Sequence, residues 1–466
     1  MEEHNNSLNQ YSKAYFIGAG GIGMTNLERY LLQEGFQVAG YDRTSSDLTT
    51  QLQKEGVEIS FIDKSSEIPE SFRNPGETLV VFTPAVPDDS EILTWFRENG
   101  FSVIKRSELL GKITRSGKSI CVAGSHGKTT TCSMIANILR NSKIGCNAFL
   151  GGILRNTGSN LVVCPGSDWS VIEADEYDRS FHRLTPTIAV VTSVDPDHLD
   201  IYGDEVGYLE GFAHFTSLIR KDGKLLIHTG LKLKPRVAEG VEVMTYSGGQ
   251  EGDWHAEDIK FGEGTISFTL VGPSVRIEGL EPGVPVEINI DNAVGAAAAA
   301  MLAGATPEDI KKGLKEFRGA KRRFEIIKDG KDGKPVLVDD YSHSPNEVKA
   351  SINSVKKLFP GRTLTVIFQP HLYSRTRDFA SEFASALSTA DEVIMPEIYP
   401  ARELPIPGVD SNLILKDVVC SRKSYCERKD LLNLIKKGNF DVIMTLGAAD
   451  IDLLIPGIVK ILEEQR

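Results

Sequence analysis

The chain has 466 residues, of which 41% are hydrophobic and 25% are charged, and its formal net charge is −12. This is an ordinary globular composition, and the length predicts about three domains. An acidic chain lacks the general attraction to phosphate backbones on which nucleic-acid binders depend, so we expect no nucleic-acid partner.

The cysteine pattern and the shortness of the apolar runs exclude several further classes. The six cysteines form no CxxC pair and no Cys/His cluster, so we expect neither a disulfide scaffold nor a zinc site, and Cys121 reads as plain core. The N-terminus is polar, and no apolar run approaches the roughly 18 residues that span a bilayer. We expect a cytoplasmic protein without a membrane partner, either a monomer or a homodimer.

The first segment alternates strands with helices. Apolar runs predict strands at residues 14–17, 36–41, 78–82 and 101–104, and a helical pattern covers 24–33. This alternation predicts a parallel sheet with right-handed crossovers.

The second segment begins near Gly117. Strands are predicted at 119–123, 169–174 and 188–193, with a long helix that ends at about Leu139. Alternating stretches at 265–270 and 274–277 predict antiparallel hairpins, and the alanine-rich stretch 291–303 predicts a tightly packed helix.

The third segment starts around Arg323, with strands predicted at 336–340, 363–368 and 441–446. Ser344-Pro-Asn-Glu347 has the pattern of a helix start, with serine as N-cap, proline at the first helical position and glutamate three residues after the cap. Residues 248–253 and 328–334 are predicted to be exposed loops or turns.

A glycine-rich loop follows the first predicted strand and opens a helix, with Asp42 at the end of the next strand. In such a loop, backbone N–H groups approach a diphosphate at a helix N-terminus. NAD, FAD and other nucleotide diphosphates present the same charge, so the ligand stays open, and a tight turn without a ligand is the alternative. The loop residues are Gly18, Gly20, Gly21, Ile22 and Gly23.

A second loop between a strand and a helix, AGSHGKTTT, predicts a phosphate site. Its glycines let backbone amides face phosphates, Lys128 can reach the β- and γ-phosphates, and the Thr129 hydroxyl can ligate Mg²⁺. We expect Lys128 to face solvent in the empty loop. Val122 shortens the glycine spacing by two relative to GxxxxGK[ST], and a chance match is the alternative.

Acidic residues follow two later strands, as Glu173-Ala-Asp175-Glu176 and as Asp195-Pro-Asp197-His198-Leu-Asp200. Ligands in open α/β sheets lie at the carboxyl ends of strands, so acids there beside a phosphate loop predict a Mg²⁺ site. The alternative is a solvated acidic loop, and His198 alone could be structural.

In the third segment, Asp340, Tyr341 and His343 end one strand, and Arg375 and Arg377 follow the next. Arginines at one edge of a sheet can clamp a phosphate or a carboxylate. Together the patterns predict an α/β protein with a Rossmann-like domain at 1–116, a central P-loop ATPase-type domain at 117–322 and a Rossmann-like domain at 323–466.

These motifs, in this order, resemble those of the Mur ligases of peptidoglycan synthesis over essentially the whole chain, and the first and last favour the L-alanine-adding branch. They read FIGAGGIGM, AGSHGKTTT, EADEYDRSF, DPDHLDIYG, KRRFE, DDYSHSPNEV and FQPHLYSRTRDF. The resemblance implies an ATP-dependent ligase that joins L-alanine to UDP-N-acetylmuramate through an acyl phosphate, with Mg²⁺ as cofactor and Mn²⁺ as a substitute.

The resemblance also assigns roles to single residues. The first loop would hold the UDP-sugar, with Asp42, Thr83 and Arg106. ATP would be bound by Gly124, Ser125, His126, Gly127, Lys128, Thr129, Thr130, Asn292, Arg323 and Asp340. Mg²⁺ would be held by Thr129, Glu173 and His198, and the amino acid by Tyr341, His343, Arg375 and Arg377. The catalytic set would be Lys128, His198, Arg323, Asp340, His343 and Arg375.

The sequence departs from the family pattern at four positions. Gly295 replaces the second asparagine of NxxN, Ser342 and Ser344 replace a glycine and a histidine of DDYGHHP, and Leu372 replaces a frequent arginine.

Three other functions share some of these motifs. A murein-recycling ligase that adds a preformed peptide shares nearly all of them. A dinucleotide-dependent oxidoreductase leaves AGSHGKTTT unexplained, and a non-catalytic nucleotide-binding regulator leaves the polar cluster of the third segment without a task.

Overall fold

The computed structural model describes residues 8–196, 199–262, 265–330, 333–401 and 403–464. Two compact units are distinguished within it. One consists of residues up to Glu257 with Thr269–Glu278 and Asp291–Phe317, and the other of Asp258–Phe268, Gly279–Ile290 and Arg318 onward. The limits 1–116, 117–322 and 323–466 stay a prediction.

The first sheet has five strands in the order β3-β2-β1-β4-β5, and all its pairs are parallel, as predicted. The order reverses direction at β1, where the glycine-rich loop follows. In open α/β sheets this reversal opens a crevice for ligands. The elements are β1 (Lys13–Ile17), α1 (Ile22–Gln33), β2 (Gln37–Tyr41), α2 (Asp47–Lys54), β3 (Glu58–Ser60), β4 (Thr78–Phe82), α3 (Glu91–Glu98), β5 (Ser102–Lys105) and α4 (Arg106–Ser116).

The second sheet has ten strands in the order β15-β14-β13-β12-β11-β10-β6-β9-β7-β8. Its elements are β6 (Lys118–Ala123), α5 (Lys128–Arg140), β7 (Asn147–Leu154), β8 (Ser159–Val162), β9 (Trp169–Glu173), β10 (Ile188–Val191), α6 (Leu199–Tyr202), α7 (Glu205–Ser217), β11 (Lys224–His228), β12 (Glu242–Ser247), β13 (Trp254–Gly262), β14 (Thr265–Gly272), β15 (Val275–Leu280), α8 (Ile288–Leu302) and α9 (Pro307–Lys315).

The centre of the second sheet is a parallel arrangement that places the predicted loops together. Strands β9, β6 and β10 are neighbours, so their carboxyl ends bring the phosphate loop beside both acidic segments. The strands predicted at 265–270 and 274–277 lie side by side at one edge of the sheet. The alanines of α8 from Ala296 to Ala300 are fully buried, which confirms a tightly packed helix.

The third sheet has six strands in the order β16-β17-β21-β18-β19-β20, with β16 antiparallel to β17 and the other pairs parallel. The elements are β16 (Glu325–Asp329), β17 (Val336–Asp340), α10 (Pro345–Leu358), β18 (Leu364–Phe368), α11 (Tyr373–Asp378), α12 (Ala380–Leu387), β19 (Glu392–Met395), α13 (Asn412–Leu415), β20 (Arg422–Tyr425), α14 (Leu431–Lys437), β21 (Val442–Leu446) and α15 (Ile455–Glu464).

Two local predictions in this region have opposite outcomes. Ser344 caps α10 as predicted, because its side chain accepts from the Glu347 N–H and the Glu347 carboxylate accepts from the Ser344 N–H at 3.1 Å. The loop predicted at 328–334 is wrong in part, since Lys328 and Asp329 complete β16 by pairing with β17.

Other predictions concern the cysteines and the membrane. All six cysteines are free thiols, and Cys121 is fully buried, as predicted. Among the residues that the structure describes, no helix combines the length and apolarity that crossing a bilayer demands.

Glu28 is a polar exception in the core behind the glycine-rich loop. It lies on α1 with no exposed surface, and neither carboxylate oxygen has a hydrogen-bond partner in the described part of the chain. Burial raises the pKa of this carboxyl well above its ordinary value. The folded chain therefore favours the neutral acid, since an unpaired ion would lose its hydration.

We expect Glu28→Gln to stabilise the fold increasingly as pH rises. The folded carboxyl keeps a proton that the unfolded chain releases above about pH 4.3, so wild-type stability falls as pH rises toward the folded pKa. The loss is up to about 1.4 kcal/mol per pH unit, and glutamine avoids it. Urea unfolding between about pH 5 and pH 8 measures this, with exposed Glu98→Gln as control. A constant difference between Glu28→Gln and wild type across that range would contradict the expectation.

Candidate active site

The phosphate loop is fixed by its glycines and by the residues that follow the neighbouring strand β10. Gly124 and Gly127 have φ of +147° and +82°, and a Cβ at Gly124 would collide with Thr192. The Ser193 hydroxyl accepts from the His126 N–H at 2.7 Å, and the Thr192 hydroxyl donates to the His126 carbonyl. Because the two residues that follow β10 hold the loop from the side, the turn keeps its shape and opens α5 at Lys128.

The surroundings of Lys128 differ from the prediction. The side chain is only 14% exposed, because its ammonium lies 2.8 Å from one oxygen of Glu176 and 2.7 Å from the other. It also donates to the Gly124 carbonyl. Solvent exposure of Lys128 was therefore the wrong expectation, since a buried carboxylate attracts the ammonium into the protein.

Glu176 is the anionic half of this pair, and its side chain is 2% exposed. Burial raises the pKa of its carboxyl, while Lys128 beside it acts in the opposite direction. Its backbone is also tied down, because the Tyr202 hydroxyl donates to the Glu176 carbonyl at 2.7 Å. The sequence placed Glu176 in an acidic cluster but indicated no task for it.

Oxygen donors meet beside the first turn of α5. The Thr129 hydroxyl donates to one oxygen of Glu173 at 2.8 Å, and the Gly151 N–H donates to the other at 2.8 Å. Thr130 lies half-buried in the same turn. In the described residues no group of three His, Cys, Asp or Glu side chains is close enough to hold a metal ion. The predicted ligand His198, like Asp197, lies outside those residues.

The glycine-rich loop is shaped by three side chains. A Cβ at Gly18 would collide with Thr83, and one at Gly23 would collide with the Arg106 guanidinium. The Gly20 N–H donates to the Asp42 carboxylate at 2.6 Å. Asp42 thus holds the loop itself, and it occupies an amide predicted to face the diphosphate.

A cavity of about 330 Å³ joins this loop to the second sheet. Gly21, Ile22, Thr83 and Arg106 contribute from the first sheet, and Glu173 and Asp175 contribute from the end of β9. The loop and the carboxylates are held in register, because Asn160 donates to the Ile22 carbonyl at 2.8 Å and Asn26 to the Leu150 carbonyl at 3.1 Å. One cavity therefore contains the glycine-rich loop and Glu173, one of the predicted Mg²⁺ ligands.

Asn292 and Gly295 lie on α8, near the phosphate loop. The Thr131 hydroxyl donates to the Asn292 carbonyl oxygen at 3.1 Å, and that oxygen would lie 2.8 Å from a Cβ at Gly127. A Cβ at Gly295 would lie 2.8 Å from the ring of Tyr246, which is 1% exposed. Tyr246 thus fills the space of the missing asparagine.

In the third sheet, Asp340 is the centre of a hydrogen-bond network. It is 6% exposed and accepts from the Phe324 N–H at 3.1 Å, the Ser342 hydroxyl at 2.5 Å and the Ser351 hydroxyl. Serine in place of the family's glycine therefore supplies a donor to Asp340. Ser351 belongs to this network, although no sequence motif indicated it.

Arginines and aromatic rings surround the end of β17. The guanidinium carbons of Arg322 and Arg323 lie 5.1 and 5.2 Å from the centre of the Tyr341 ring. The His343 Nδ1 is 3.1 Å from the Tyr341 carbonyl, which can only accept, so the proton lies on Nδ1. Burial lowers the pKa of His343, in opposition to Glu347. Burial therefore favours the neutral imidazole, in which Nε2 is the acceptor.

The two arginines after β18 differ in environment. Arg375 is half-buried and is close enough to His343 to lower the pKa of that imidazole. Arg377 is exposed, and its Nε donates to Asp378 at 2.7 Å. Leu372, at the start of α11, has a φ of +70°, which is strained for a side chain branched at Cγ. The geometry favours Arg375 as the carboxylate ligand of this pair.

Family models cover most of the chain. The Mur ligase catalytic domain model matches residues 13–118, the middle domain model matches 122–300, and the glutamate ligase domain model matches 322–449. The chain belongs to the Mur ligase family. This membership excludes the dinucleotide-dependent oxidoreductase.

Relatives resemble this Mur ligase over its full length. The UDP-N-acetylmuramate–L-alanine ligase of Parabacteroides distasonis is 52% identical, with 98% of this chain and 99% of that protein covered. The enzyme of that name from Porphyromonas gingivalis W83 is 49% identical, with 95% and 97% covered. The structure of UDP-N-acetylmuramate–alanine ligase MurC from Thermotoga maritima has a TM-score of 0.78 at 25% identity, covering 97% of this chain and 100% of that one.

We expect Lys128→Ala to reduce turnover of the Mur ligase by about a hundredfold or more, because one positioned charge is lost in phosphoryl transfer. It should also destabilise the fold, since Glu176 would stay buried without its partner. Adding Glu176→Gln should restore the melting temperature but not the activity. Phosphate release and thermal unfolding of the three variants separate the two effects. Near-normal turnover in a folded Lys128→Ala protein would contradict a role for Lys128.

Gly295→Asn should destabilise the enzyme by about 1–3 kcal/mol, because the family's asparagine would overlap Tyr246. Denaturant unfolding measures this, and Gly158→Asn is the matched control. Gly158 has a φ of +67°, a Cβ added there would meet nothing within 4 Å, and asparagine tolerates that conformation. Unchanged stability together with tighter ATP binding would contradict the steric argument.

Proposed function

We propose that this Mur ligase uses ATP to join L-alanine to the lactyl carboxylate of UDP-N-acetylmuramate, giving UDP-N-acetylmuramoyl-L-alanine, ADP and phosphate. The observation that carries the proposal is the cavity of about 330 Å³ that contains the glycine-rich loop and Glu173. A UDP-sugar bound to that loop would share the cavity with Glu173, whose carboxylate accepts from the Thr129 hydroxyl of the phosphate loop.

In the first sheet, the UDP-sugar is bound by the glycine-rich loop and by two side chains that line the same cavity. Gly21, Ile22 and Gly23 supply backbone N–H groups at the start of α1, where a diphosphate is favoured. Arg106 supplies a positive charge, and Thr83 a hydroxyl. Asp42 acts indirectly, by fixing the Gly20 amide.

ATP is bound by the phosphate loop from Gly124 to Thr130, with Asn292 on α8. Lys128 exchanges its bond with Glu176 for the phosphate oxygens, and Glu176 is a positioning residue that keeps the ammonium at the loop until ATP arrives. Arg323 and Asp340 are the further ATP-binding residues of this proposal. Asp340 acts indirectly, because it accepts from the Phe324 N–H and so shapes the turn that contains Arg323.

We also propose Mg²⁺ as a cofactor beside ATP. The Thr129 hydroxyl and the Glu173 carboxylate are oxygen donors 2.8 Å apart, the ligand type that Mg²⁺ prefers. These residues would hold the ion, with His198, and Mn²⁺ would substitute for it. When bound, the ion neutralises charge on the phosphate oxygens.

The reaction proceeds in two steps. The lactyl carboxylate attacks the γ-phosphate and releases ADP, which leaves an acyl phosphate that Lys128 stabilises. The amine of L-alanine then attacks the acyl carbon, and phosphate leaves. The neutral His343 accepts a proton from the ammonium at Nε2, while Arg375, with Arg377, binds the α-carboxylate and Tyr341 limits the side-chain space.

A murein-recycling ligase, which adds a preformed peptide by the same chemistry, is the alternative to the L-alanine ligase. Relatives 48–52% identical over nearly the whole chain carry the L-alanine ligase name, whereas a murein peptide ligase from Psychrobacter arcticus shares 21% identity at a TM-score of 0.63. The former likeness supports a single amino acid as the substrate. We propose a cytoplasmic location, where ATP and UDP-sugars are available.

Competition among amino acids tests the proposal. With ATP and UDP-N-acetylmuramate, we expect L-alanine to be used first, glycine and L-serine weakly, and glutamate not at all, because one methylene is worth about 1–3 kcal/mol in a small pocket. Activity should rise toward mildly alkaline pH, since the free amine is the nucleophile. Mass spectrometry of the products measures the choice. Preferential use of a peptide containing L-Ala-γ-D-Glu would overturn the assignment and favour the recycling ligase.

A further inference from the structure

We call the cavity of about 330 Å³ at the glycine-rich loop the active-site cavity. A second cleft, of about 470 Å³, lies on the far side of α4 from it. Its walls are β5, α4 and the segment that contains Arg183 and Thr185. Arg106 and Leu110 of α4 line the active-site cavity, whereas Lys112 and Arg115 line this cleft. At 3.6 residues per turn the two sets occupy opposite faces of the helix.

The cleft concentrates positive charge in a chain whose net charge is −12. Lys112, Arg115 and Arg183 line it, and among the described lining residues Glu108 is the one carboxylate. Glu108 is already engaged, since it accepts from the Lys105 N–H at 2.8 Å and lies 3.9 Å from Arg183. The lining therefore has a net positive charge of about two.

The frame of the cleft is held in place by backbone contacts. A Cβ at Gly111 would collide with the Arg183 carbonyl, so α4 is packed closely against that segment. The Thr114 hydroxyl accepts from the Thr185 N–H at 3.1 Å, and the Arg220 guanidinium donates to the Arg115 carbonyl at 2.9 Å. Backbone packing therefore brings the cations together, and the Arg115 guanidinium adds a bond to the Arg183 carbonyl at 3.4 Å.

Helix geometry explains only part of this arrangement. A cation in the last turn of a helix is favoured by the helix dipole, which accounts for Arg115. It does not account for the approach of Arg183 to Arg115, since Arg183 ends a separate short 3-10 helix, Tyr177–Arg183. Burial lowers the pKa of Lys112 and of Arg115, and the neighbouring cation lowers each further. Three cations thus share one carboxylate among the lining residues that the structure describes. A bound anion would offset the excess positive charge.

We propose that this cleft binds a phosphate-bearing anion with at least two negative charges, such as pyrophosphate or a phosphate ester. Two guanidinium groups match phosphate oxygens in forked geometry, and the volume lies within the range of small-molecule pockets. The ligand bridges α4 and the segment at Arg183. Since α4 also carries Arg106, the anion acts as an effector of the active-site cavity. This effect on turnover rests on the proposed function, whereas the binding itself does not.

Calorimetric titration with pyrophosphate, without divalent cations, tests the site. We expect two sites in wild type, one at the phosphate loop and one in the cleft. Arg115→Gln/Arg183→Gln should weaken the cleft site by about tenfold or more and keep the other, and Lys128→Ala should do the reverse. Arg97→Gln is the matched control, since Arg97 is an arginine on α3 that pairs with Asp88 at 3.3 Å. Lys112→Gln is a second, independent variant, and circular dichroism checks the fold of each.

Three results would overturn the proposal: a single site that Lys128→Ala removes, unchanged binding in Arg115→Gln/Arg183→Gln, or citrate binding as tightly as pyrophosphate at equal ionic strength. Initial rates of phosphate release supply the independent test of the effector role. Pyrophosphate analogues that fill the cleft should change the KM for UDP-N-acetylmuramate in wild type and in Arg97→Gln, but not in Arg115→Gln/Arg183→Gln. If binding persists while ligase activity is absent, the proposed function fails and the site stands.

Discussion

The buried ion pair of Lys128 and Glu176 is the interaction on which the catalytic half of the molecule depends. It joins the phosphate loop to the end of β9, where Glu173 and Asp175 begin the wall of the active-site cavity. Breaking it without a substitute would leave an ion in a poorly hydrated place, at a cost of several kcal/mol. A second anion at the loop would offset part of this cost for Lys128, and in the proposed function the phosphates of ATP are that anion. The pair thus fixes the Lys128 ammonium beside the phosphate loop.

Beside the third sheet, a buried carboxylate likewise stabilises a backbone turn, in this case the turn at residues 322–324. Arg322 and Phe324 have φ of +60° and +46°, an uncommon conformation for side chains of this size. The strain is offset because Asp340 accepts from the Phe324 N–H and the Arg322 guanidinium donates to the Gly447 and Ala449 carbonyls. Arg323 is left between two fixed neighbours. The departures at Ser342 and Ser344 fit this arrangement, since one stabilises Asp340 and the other caps α10.

The sequence patterns predicted both loops and the strands that precede them, because these are encoded by local periodicity, glycine and capping residues. They did not predict edge strands such as β3, β8 and β20. Nor could they indicate partners distant in the chain. Glu176 lies 48 residues from Lys128, and Ser351 reaches Asp340 from the next helix, so nothing local indicates either contact. Tyr246 explains Gly295 only once β12 and α8 are packed together. Local sequence patterns thus predict the position of a functional side chain along the chain. Whether that side chain faces solvent or another side chain depends on tertiary packing.

The position of α4 is determined by close contacts at two glycines. Its Arg106 guanidinium occupies the space over Gly23, so a side chain at position 23 would displace that guanidinium from the glycine-rich loop. Gly111, one and a half turns later, allows the opposite contact with the Arg183 carbonyl. The helix is therefore seated by two glycines, one at each end of the contact between the first and second sheets. A rotation of α4 about its axis would be resisted at Gly111, where the close contact is with backbone. In the proposed effector site, an anion bound along one face would therefore act on the other face chiefly by shifting the helix as a whole.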